Sequence, residues 1–419
     1  MIGSTYDVSE DSKKKTVKEL VYRSYAVRGE DERRHRIPDY SFAGFYAAAR
    51  PLPKEEDVPN VVCVEPDTSA TSNDWSRIQH AIDSVAKQDP DETGYRGAVL
   101  IRAGTYRIEK SLVVRASGVV LRGEGQRNSG GTTLIATNRS KHALIIVGSS
   151  DSKLDRYRRF NTVGDPVPIA SSVVPVGACR LDVENVTPFA IGQTIAVTRT
   201  PNDRWIETLG MGTYGWKADE YAVDHVRRVV DVVRSEKVGT RGTLVLDENL
   251  FDSIDQRFGG GSVRVLKDDQ GRVQRSGIEG LRLVSEFDDE DDEAHGWVAV
   301  RMCSVKNCWT RNVTAYYFGY SCVHVCGTST QVTVQDCAHL TPKYVVAVVV
   351  VVFFSRPFDV RSLTFARARA LQIAVRGRST LLLRGRSSFV AHSLPTMPVS
   401  RRSTFVRYGS TSSRSDRLA

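Results

Sequence analysis

The sequence lacks a long apolar run. Its longest, YVVAVVVVVFF at 344–354, holds 11 residues, whereas a helix needs about 20 to cross a bilayer. The chain also starts without the apolar segment of a secretory signal, because MIGSTYDVSEDSKKK is polar and charged. These absences predict a protein with no membrane span and indicate no export signal at this start.

Cysteine is scarce and irregularly spaced. Seven cysteines occur, and no two of them form a CxxC pair. Such an odd set matches neither a disulfide framework nor a standard zinc module. Five of the seven fall between Cys303 and Cys337. Because cysteine outside disulfides is usually buried, we interpret most of them as small apolar core residues.

Acidic residues are nearly absent from one end of the chain. The net charge is +9, but beyond Asp336 there are 13 Arg and one Lys against two Asp. Residues 1–336 carry 44 basic and 47 acidic side chains. This slightly acidic body argues against a nucleic-acid partner for residues 1–336. Only the basic tail keeps such a partner, or an anionic glycan, as an alternative.

Two kinds of periodicity indicate secondary structure. DWSRIQHAIDSVA (74–86) has apolar residues at i, i+3, i+4 and i+7, which predicts a helix with Asn73 or Asp74 as N-cap. From Ala98 onward, short β-type runs recur between Gly, Asn and Ser, a texture typical of an all-β protein. The runs lie at 98–102, 111–115, 119–123, 133–137 and 143–147.

Two segments depart from this texture. RIPDYSFAGFYAAARPLP (36–53) follows a charged start and predicts an extended arm along a larger domain, with Tyr40, Phe42 and Phe45 alternating toward that domain. Residues 165–265 predict a small β insertion around a polar centre. Within it we expect RWIETLGMGTYGWKADEY, residues 204 to 221, to form a long loop.

The β texture later becomes a repeat. CWTRNVTA (308–315) can be laid over VTVQDCA (332–338) with a shift of 24, which places Asn312 over Asp336. GLRL (280–283) aligns with NVTA only if about eight extra residues are allowed, and an acidic run lies in that gap. A repeat of this length predicts a parallel β-solenoid, whose coils bury their inner faces by stacking.

The motifs that carry this pattern resemble a known family. GAVLIRAGTYRIEKSLVVRASGVVLRGEGQRNSGGTTLIAT (97–137), preceded by the helix, resembles the opening coils of the pectate-lyase-like superfamily, with Ala103 where that family usually has proline. DEAHGWVAVRMCSVKNCWTRNVTAYYFGYSCVHV (292–325) is similar to an uncharacterised subgroup of the same superfamily. The resemblance covers roughly residues 36–340.

This resemblance implies a right-handed parallel β-helix with an N-terminal arm and helix and a small β insertion. Characterised members are lyases that cleave acidic polysaccharides, often with Ca²⁺ and an arginine base, or hydrolases with carboxylate pairs. The lyase WxDH motif is absent, and so is the polygalacturonase set of paired aspartates with GHG and RIK. The implied function is polysaccharide cleavage by lyase or hydrolase chemistry. The alternative is a non-catalytic carbohydrate-binding or surface structural protein. The resemblance also suggests a secreted or cell-envelope location.

The acidic run in VSEFDDEDDEAHGW (284–297) has two interpretations. Seven carboxylates occupy the eight positions from Glu286 to Glu293. Oxygen ligands of this kind suit Ca²⁺, although runs of like charge usually form a solvated loop. The candidate calcium ligands are Asp288, Asp289 and Asp291.

The end of this run matches a DExHxW pattern of the subgroup. Asp292, Glu293 and His295 are therefore candidate catalytic residues, since carboxylates and histidine transfer protons near neutral pH. Trp297 is a candidate for stacking on a sugar ring. A surface turn without catalysis is the alternative for all four residues.

YYFGYSCVHVC (316–326) is a second candidate segment. Its tyrosines could line a carbohydrate groove, although packing beside the coils explains aromatic residues equally well. The tyrosines are Tyr316, Tyr317 and Tyr320. Cys322, His324 and Cys326 alternate onto one strand face, but the outer two lie about 13 Å apart along an extended strand. We therefore expect a buried or stacked ladder there and no metal site.

The repeat stops near Lys343, and the chain after it is basic and has no turn rhythm. We hypothesise that residues 342–419 are out of frame with their ancestral reading, which would remove the later coils and leave the protein inactive. The alternative is a genuine basic tail. The predicted division is 1–60 (flexible start and arm), 61–164 (helix and first coils), 165–265 (insertion), 266–341 (further coils) and 342–419 (tail).

Overall fold

The computed structural model describes most of the chain between residues 38 and 343 with its side chains, and short backbone strands outside that range. The described residues are 25–26, 34–35, 38–67, 74–149, 160–235, 239–267, 271–289, 291–343, 348–352, 372–376 and 380–384. Strands dominate them, and most of these strands belong to parallel sheets. The all-β prediction is confirmed to that extent.

Two parallel sheets carry the coils. The long parallel sheet consists of Asn60–Val64, Gly97–Ile101, Gly104–Ile108, Val119–Gly123, Thr132–Ala136, Val273–Gln274, Gly277–Ser285, Val305–Tyr316, Thr330–Gln335 and Ala338–Leu340. The short parallel sheet consists of Leu112–Val114, His142–Gly148, Gly296–Cys303, Ser321–Cys326 and Val348–Val352. Each pairs successive coils of the chain, which is consistent with a β-helix-like fold.

The strand register confirms both predicted shifts. Thr310 pairs with Val334, a shift of 24 residues. Leu281 pairs with Val313, a shift of 32, so this coil contains the eight extra residues that the alignment required. The acidic run lies in that longer coil, between Ser285 and Gly296.

Left-handed residues recur where the coils turn. In the last three coils, Gly280, Asn312 and Asp336 have φ of 68°, 53° and 52° and occupy the same register position. A second such ladder contains Arg275, Asn307 and Gln331, with φ of 54°, 53° and 56°. Glycine and asparagine tolerate this conformation better than other residues. The left-handed backbone therefore explains why the repeat has a small polar residue, Asn312 or Asp336, at this position.

The interior of the coils is apolar. Its largest cluster joins the first helix to inward-facing residues of both parallel sheets, such as Leu121, Leu134, Ile145 and Leu283, all fully buried. Trp309 lies on the outer side, where its ring covers Gly277 of the preceding coil so closely that a Cβ there would lie 2.1 Å from it. Each coil thus completes the burial of its neighbour.

The predicted first helix, α1, spans Trp75–Ala86 and buries Ile78, Ala81, Ile82 and Val85 against the coils. Asp74 is its N-cap by position, but the carboxylate makes no cap hydrogen bond. It accepts instead from the backbone N–H of Arg107 at 2.9 Å. The expected local cap is therefore a long-range contact that ties the helix to the long parallel sheet.

The arm docks through fewer aromatic residues than the alternation predicted. Phe45 is buried and meets Trp309 edge to face at 5.5 Å. Tyr40 is 63% exposed, although its ring stacks on that of Phe251 at 5.4 Å. Phe42 is 42% exposed, and the prediction is wrong for this residue. The reason is a turn in which the N–H of Ala43 donates to the carbonyl of Tyr40 at 3.0 Å, because it interrupts the extended path that an alternation needs.

The segment predicted as an insertion contains an antiparallel sheet with its own apolar core. This insertion sheet consists of Thr162–Pro168, Arg180–Val183, Thr194–Arg199, Val223–Arg234, Gly242–Leu246 and Gly261–Leu266, and Val173–Val174 pairs with Ile254–Asp255 beside it. A second helix, α2, spans Asp203–Leu209. The expectation of a plain loop over residues 204 to 221 is therefore wrong at its start.

Short antiparallel pairs complete the described strands: Tyr25–Ala26 with Arg34–His35, and Gln372–Arg376 with Thr380–Arg384. Most of residues 342–419, on which the frame hypothesis depends, lie outside the described residues. That hypothesis and the predicted domain limits stay predictions.

Candidate functional site

The acidic run crosses between the two parallel sheets and is anchored by cations. Three of its carboxylates form ion pairs with the preceding coil: Glu286 with Arg107 (2.7 Å), Asp288 with Arg139 (3.1 Å) and Glu293 with Lys141. Glu286 receives two bonds from the guanidinium of Arg107. These ion pairs join the run to the coil below it, but Asp288 and Glu293 are 70% and 51% exposed, so their carboxylates also stay solvated.

Asp292 folds the end of the run into a turn. Its carboxylate accepts hydrogen bonds from the backbone N–H of Asp288 at 3.0 Å and of Ala294 at 2.7 Å. These two bonds lower the pKa of Asp292, because they stabilise the ionised form. The group is thus ionised at neutral pH and suits a base or nucleophile better than a general acid.

The described residues contain no group of three or more His, Cys, Asp or Glu side chains placed to hold a metal ion. Asp289 instead accepts from the backbone N–H of Asp291 at 3.0 Å. Glu290 lies outside the described residues. Calcium binding by Asp288, Asp289 and Asp291 stays a prediction.

His295 is the most deeply placed candidate, with 1% of its surface exposed. Its Nδ1 lies 3.1 Å from Ser285 Oγ, which also accepts the backbone N–H of Gly296. Its Nε2 is buried without a hydrogen-bond partner in the described structure. Burial lowers the pKa of His295, so the imidazole is neutral at neutral pH and can accept a proton.

Trp297 begins the wall beside this histidine. Its ring centroid lies 6.2 Å from that of His295. Lys141 Nζ lies 4.2 Å from the indole centroid, and Gly319 approaches so closely that a Cβ there would lie 2.4 Å from the ring. A sugar that stacks on Trp297 therefore has to displace Lys141, which is a flexible side chain.

Two of the three candidate tyrosines lie in the same aromatic group. Tyr317 meets Phe287 at 5.3 Å and Tyr316 at 6.0 Å between ring centroids. Phe287 in turn lies 6.3 Å from His295. Tyr320 faces His324 at 5.6 Å, and its backbone N–H donates to the carbonyl of Trp297 at 2.8 Å. All three tyrosines are partly exposed.

Cations that the sequence reasoning missed lie on these rings. Lys343 Nζ lies 3.9 Å from the centroid of Phe287, and Arg282 lies 3.8 Å from that of Tyr316. Together with Lys141, which is also paired with Glu293, they place three cations on the aromatic wall. No local motif identifies these residues, because they come from three different coils. We call the set Lys141, Arg282, Phe287, His295, Trp297, Tyr316, Tyr317 and Lys343 the aromatic–cation cluster.

A second histidine, also missed, stands one coil below. His142 pairs in register with Gly296, next to His295. Its Nδ1 lies 2.7 Å from the carbonyl oxygen of Ser140, so Nδ1 carries the proton and Nε2 keeps its lone pair. Burial lowers the pKa of His142, which keeps this ring neutral as well.

The predicted cysteine ladder is present. Cys322 and Cys326 are buried and His324 is half-buried on the strand Ser321–Cys326. Cys326 pairs in register with Cys303 of the preceding coil. The expected burial is confirmed for Cys322 and Cys326, and the expected stacking is seen at Cys326, whereas Arg301 stands opposite His324.

A separate polar centre lies in the insertion. Arg199 Nε is 2.8 Å from Asp252 Oδ2, and its guanidinium covers the ring of Trp205 at 4.8 Å. Arg227 donates to the carbonyl of Asn249 through Nε and NH2, at 3.1 and 2.6 Å. Because these charges already have partners within the insertion, they leave little for a ligand.

Two clefts also occur in the insertion. One, of about 330 Å³, is lined by residues such as Asp182 and Arg241. The other, of about 370 Å³, is lined by residues such as Phe189 and Arg264. Neither includes a candidate site residue. These clefts are therefore separate from the aromatic–cation cluster.

Within the described residues, no helix has the length and apolar character that a membrane crossing requires.

No protein-family model and no curated protein match the chain. Among solved structures it is similar to tailspike gp49 from Pseudomonas phage LKA1, with 13% identity over 60% of this chain and 33% of that one and a TM-score of 0.32. It is also similar to tailspike gp61 from Pseudomonas phage phi297, with 15% identity over 65% of this chain and 39% of that one and a TM-score of 0.34. A third similar structure is the Gp54 tailspike of Acinetobacter baumannii bacteriophage AP22, in complex with a capsular saccharide. It has 9% identity over 64% of this chain and 44% of that one and a TM-score of 0.27. The chain spans less than half the length of these tailspikes.

Proposed function

We propose that the stacked coils form a right-handed parallel β-helix and that the protein binds and cleaves a polysaccharide at the aromatic–cation cluster. The observation that carries the proposal is the cluster itself, in which Lys141, Arg282 and Lys343 lie on aromatic rings around a buried neutral histidine. Aromatic faces suit sugar rings, and the cations suit sugar carboxylates. We therefore favour an acidic polysaccharide.

Elimination is the reaction that this cluster suits best. A lyase removes the proton next to a sugar carboxylate and then expels the glycosidic oxygen at the adjacent carbon. Lys141, once released from Glu293, and Lys343 would neutralise the carboxylate and so make that proton more acidic. His295 or His142, both neutral, would accept it at Nε2. Both Nε2 atoms are buried, so a small movement of the surrounding rings has to accompany binding.

Hydrolysis is the second reaction within the proposal. It requires two carboxyl groups on either side of the glycosidic bond, one of them protonated. Asp292 and Glu293 are the nearest pair to His295 in sequence. Hydrogen bonds hold the pKa of Asp292 low, so Asp292 would be the base and Glu293, now paired with Lys141, would have to be the acid.

A non-catalytic binder is the alternative function. One observation favours it: the cation of Lys141 and the backbone at Gly319 already cover the ring of Trp297. Because the ring is already covered, a glycan chain can bind beside Trp297 without entering a position where it would react.

A panel of acidic and neutral polysaccharides separates these functions. Appearance of the ultraviolet absorbance of unsaturated sugar products shows a lyase, and new reducing ends without that absorbance show a hydrolase. Retention on an immobilised glycan without products shows a binder. Absence of both products and retention across the panel would refute the proposal.

The calcium interpretation has its own test. The same reactions are run after treatment with EDTA and again after Ca²⁺ is restored. Loss and recovery in the wild-type protein, but not in a variant with Asp288, Asp289 and Asp291 all changed to Asn, would support a site in the acidic run. Unchanged activity in EDTA would remove Ca²⁺ from the proposal.

A further inference from the structure

Two cysteines of successive coils meet at the ends of neighbouring strands. Cys303 ends the strand Gly296–Cys303, Cys326 ends the strand Ser321–Cys326, and the two are register partners in the short parallel sheet. Their Sγ atoms lie 2.6 Å apart. One coil of chain, residues 304–325, separates them in sequence.

The backbone geometry is compatible with a bond between these sulfurs. Paired strands lie about 4.8 Å apart, and cysteines joined by a disulfide have Cα atoms about 4.4–6.8 Å apart. A disulfide bond is about 2.05 Å long, so the sulfurs at 2.6 Å need to approach only slightly. The side chains already point toward each other on the same face of the sheet.

The turns that follow both strands hold the pair in this position. Ser304 and Gly327 both have left-handed backbones, with φ of 55° and 64°. The N–H of Ser304 donates to the carbonyl of Cys326 at 3.2 Å, which ties one turn to the other strand. Because the same turn is made twice in register, the two cysteines cannot slide apart without breaking the coil.

The surroundings also allow the chemistry. Arg301 NH2 lies 4.0 Å from Cys303 Sγ, and a nearby guanidinium stabilises a thiolate, the form that reacts. Cys326 is 8% exposed and Cys303 is fully buried, so a small oxidant reaches Cys326 first. By contrast, a hydrogen bond with Cys337 and burial raise the pKa of Cys322, which keeps that neighbouring thiol protonated.

We propose that Cys303 and Cys326 form a disulfide that links successive coils. The oxidant is a small disulfide such as oxidised glutathione. The thiolate of Cys326 attacks one of its sulfurs and releases the first glutathione thiolate, which takes up a proton. The thiolate of Cys303 then attacks the Cys326 sulfur and releases the second glutathione. The cysteine pair loses two electrons and two protons, and the oxidant gains them.

The link bears on the candidate site through the strands that it joins. Trp297 lies near the start of the first strand and Tyr320 directly before the second, and the backbone of Tyr320 donates to that of Trp297 at 2.8 Å. The disulfide closes the other ends of these strands. It thereby fixes the spacing of the two coils that present these aromatic rings.

Mass spectrometry of the full chain tests the proposal. The purified protein is reduced, exposed to oxidised glutathione, denatured in the presence of the alkylating reagent without reduction, and digested. We expect a peptide with Cys303 bonded to a peptide with Cys326, a parent mass lower by two hydrogens, and labelling of both cysteines reduced to near zero. Cys63→Ser and Cys179→Ser change exposed cysteines and should keep the link. Cys326→Ser should abolish it.

A stability measurement on the same samples checks the consequence. Oxidation should raise the Tm of the wild type and of Cys179→Ser, but not of Cys326→Ser. Three results would overturn the proposal: complete alkylation of both cysteines after oxidation, a stable glutathione adduct on Cys326 with Cys303 still alkylated, or a link from Cys303 to Cys322 or Cys337. The first two are read on the wild type, so they do not depend on whether a variant folds.

Discussion

Arg122 donates through Nε to Glu279 at 2.6 Å, and the side chains of both residues are only 5% exposed. They stand at the same register position of successive coils on the outer face of the long parallel sheet. The other oxygen of Glu279 lies 2.7 Å from Arg311 of the next coil and accepts Trp309 Nε1 at 3.1 Å. One carboxylate thus joins three coils beneath the arm.

Replacement of this carboxylate should destabilise the protein strongly. Glu279→Gln removes the buried negative partner of Arg122 and leaves the exposed Glu55 at 3.9 Å, and an uncompensated buried charge typically costs about 3–5 kcal/mol. Urea unfolding followed by tryptophan fluorescence measures the loss. Glu109→Gln, at an exposed pair with Lys110, should change the free energy of unfolding by less than about 0.5 kcal/mol. Equal effects of the two variants would contradict the role given to the network.

Asn312 should tolerate glycine and resist β-branched residues. Its φ of 53° places it in the left-handed region, and its side chain is exposed, so the backbone decides the outcome. Asn312→Gly should change the free energy of unfolding by no more than about 0.5 kcal/mol, and Asn312→Val should lower it by about 1–2 kcal/mol. Thermal unfolding of the two variants is the measurement. A ranking with valine above glycine would show that the turn is not left-handed.

Loss of the Trp297 ring should weaken glycan binding more than it weakens the fold. Trp297→Ala removes the partly exposed ring next to Lys141 and His295, and we expect affinity for an acidic polysaccharide to fall about tenfold or more. Lys141→Ala should lower affinity and also reduce its dependence on salt. Tyr214→Ala is the matched control, because Tyr214 is a 60% exposed aromatic residue outside the cluster. A control variant that loses as much affinity would argue against the cluster as the binding surface.

Acid should destabilise the insertion through His225. Burial, then the charges of Arg227 and Arg199, lower the pKa of His225 to about 3. Below the unfolded pKa of about 6.5 the unfolded chain binds a proton that the folded chain refuses, so stability is lost as pH falls from that value toward 3. Asp224 opposes this shift only in part.

His225→Leu should remove that pH dependence. Between pH 7 and pH 5 the wild type should lose about 2 kcal/mol more than this variant, as measured by urea unfolding at each pH. His80→Gln, at an exposed helical position, should follow the wild type. Parallel curves for His225→Leu and the wild type would show that His225 is protonated in the folded protein.

The coil architecture could be predicted from the sequence because its turns repeat. Asn312 and Asp336 adopt the same left-handed conformation 24 residues apart, and such a position admits few residue types, so the sequence keeps a visible mark of it. The eight-residue excess before Asn312 could be read for the same reason. Helix α1 was readable from its apolar spacing, which decides the face that it buries.

Two features were not predicted correctly from the sequence: the role of the Asp74 carboxylate, which depends on a contact between distant segments, and helix α2, which has a local capping signal. Asp74 was expected to cap its own helix, but a backbone N–H on a neighbouring strand competes successfully for its carboxylate. Helix α2 did have a signal: the side chain of Asn202 accepts from the N–H of Trp205, and Gly210 ends the helix in a left-handed conformation. The glycine-rich sequence after α2 concealed it.

Only the part of the candidate site that is close together in sequence could be predicted. His295, Trp297 and Tyr317 stand close together in sequence, and the structure places them around one group of rings. The partners Lys141 and Lys343 come from coils far away in the chain. A repeat of known length gives the register of such residues only after every insertion between coils has been located, and the segment before residue 271 disrupts that count.

The ladders of left-handed residues have a consequence for how this chain can change length. Because Asn307 and Gln331 make the same turn in register, a cut after each rejoins two ends with the same direction and conformation. Deletion of residues 308–331 would therefore shorten the stack by one coil, and duplication of the segment would lengthen it by one coil. Each such change would keep the register of the long parallel sheet and would alter its width by one strand.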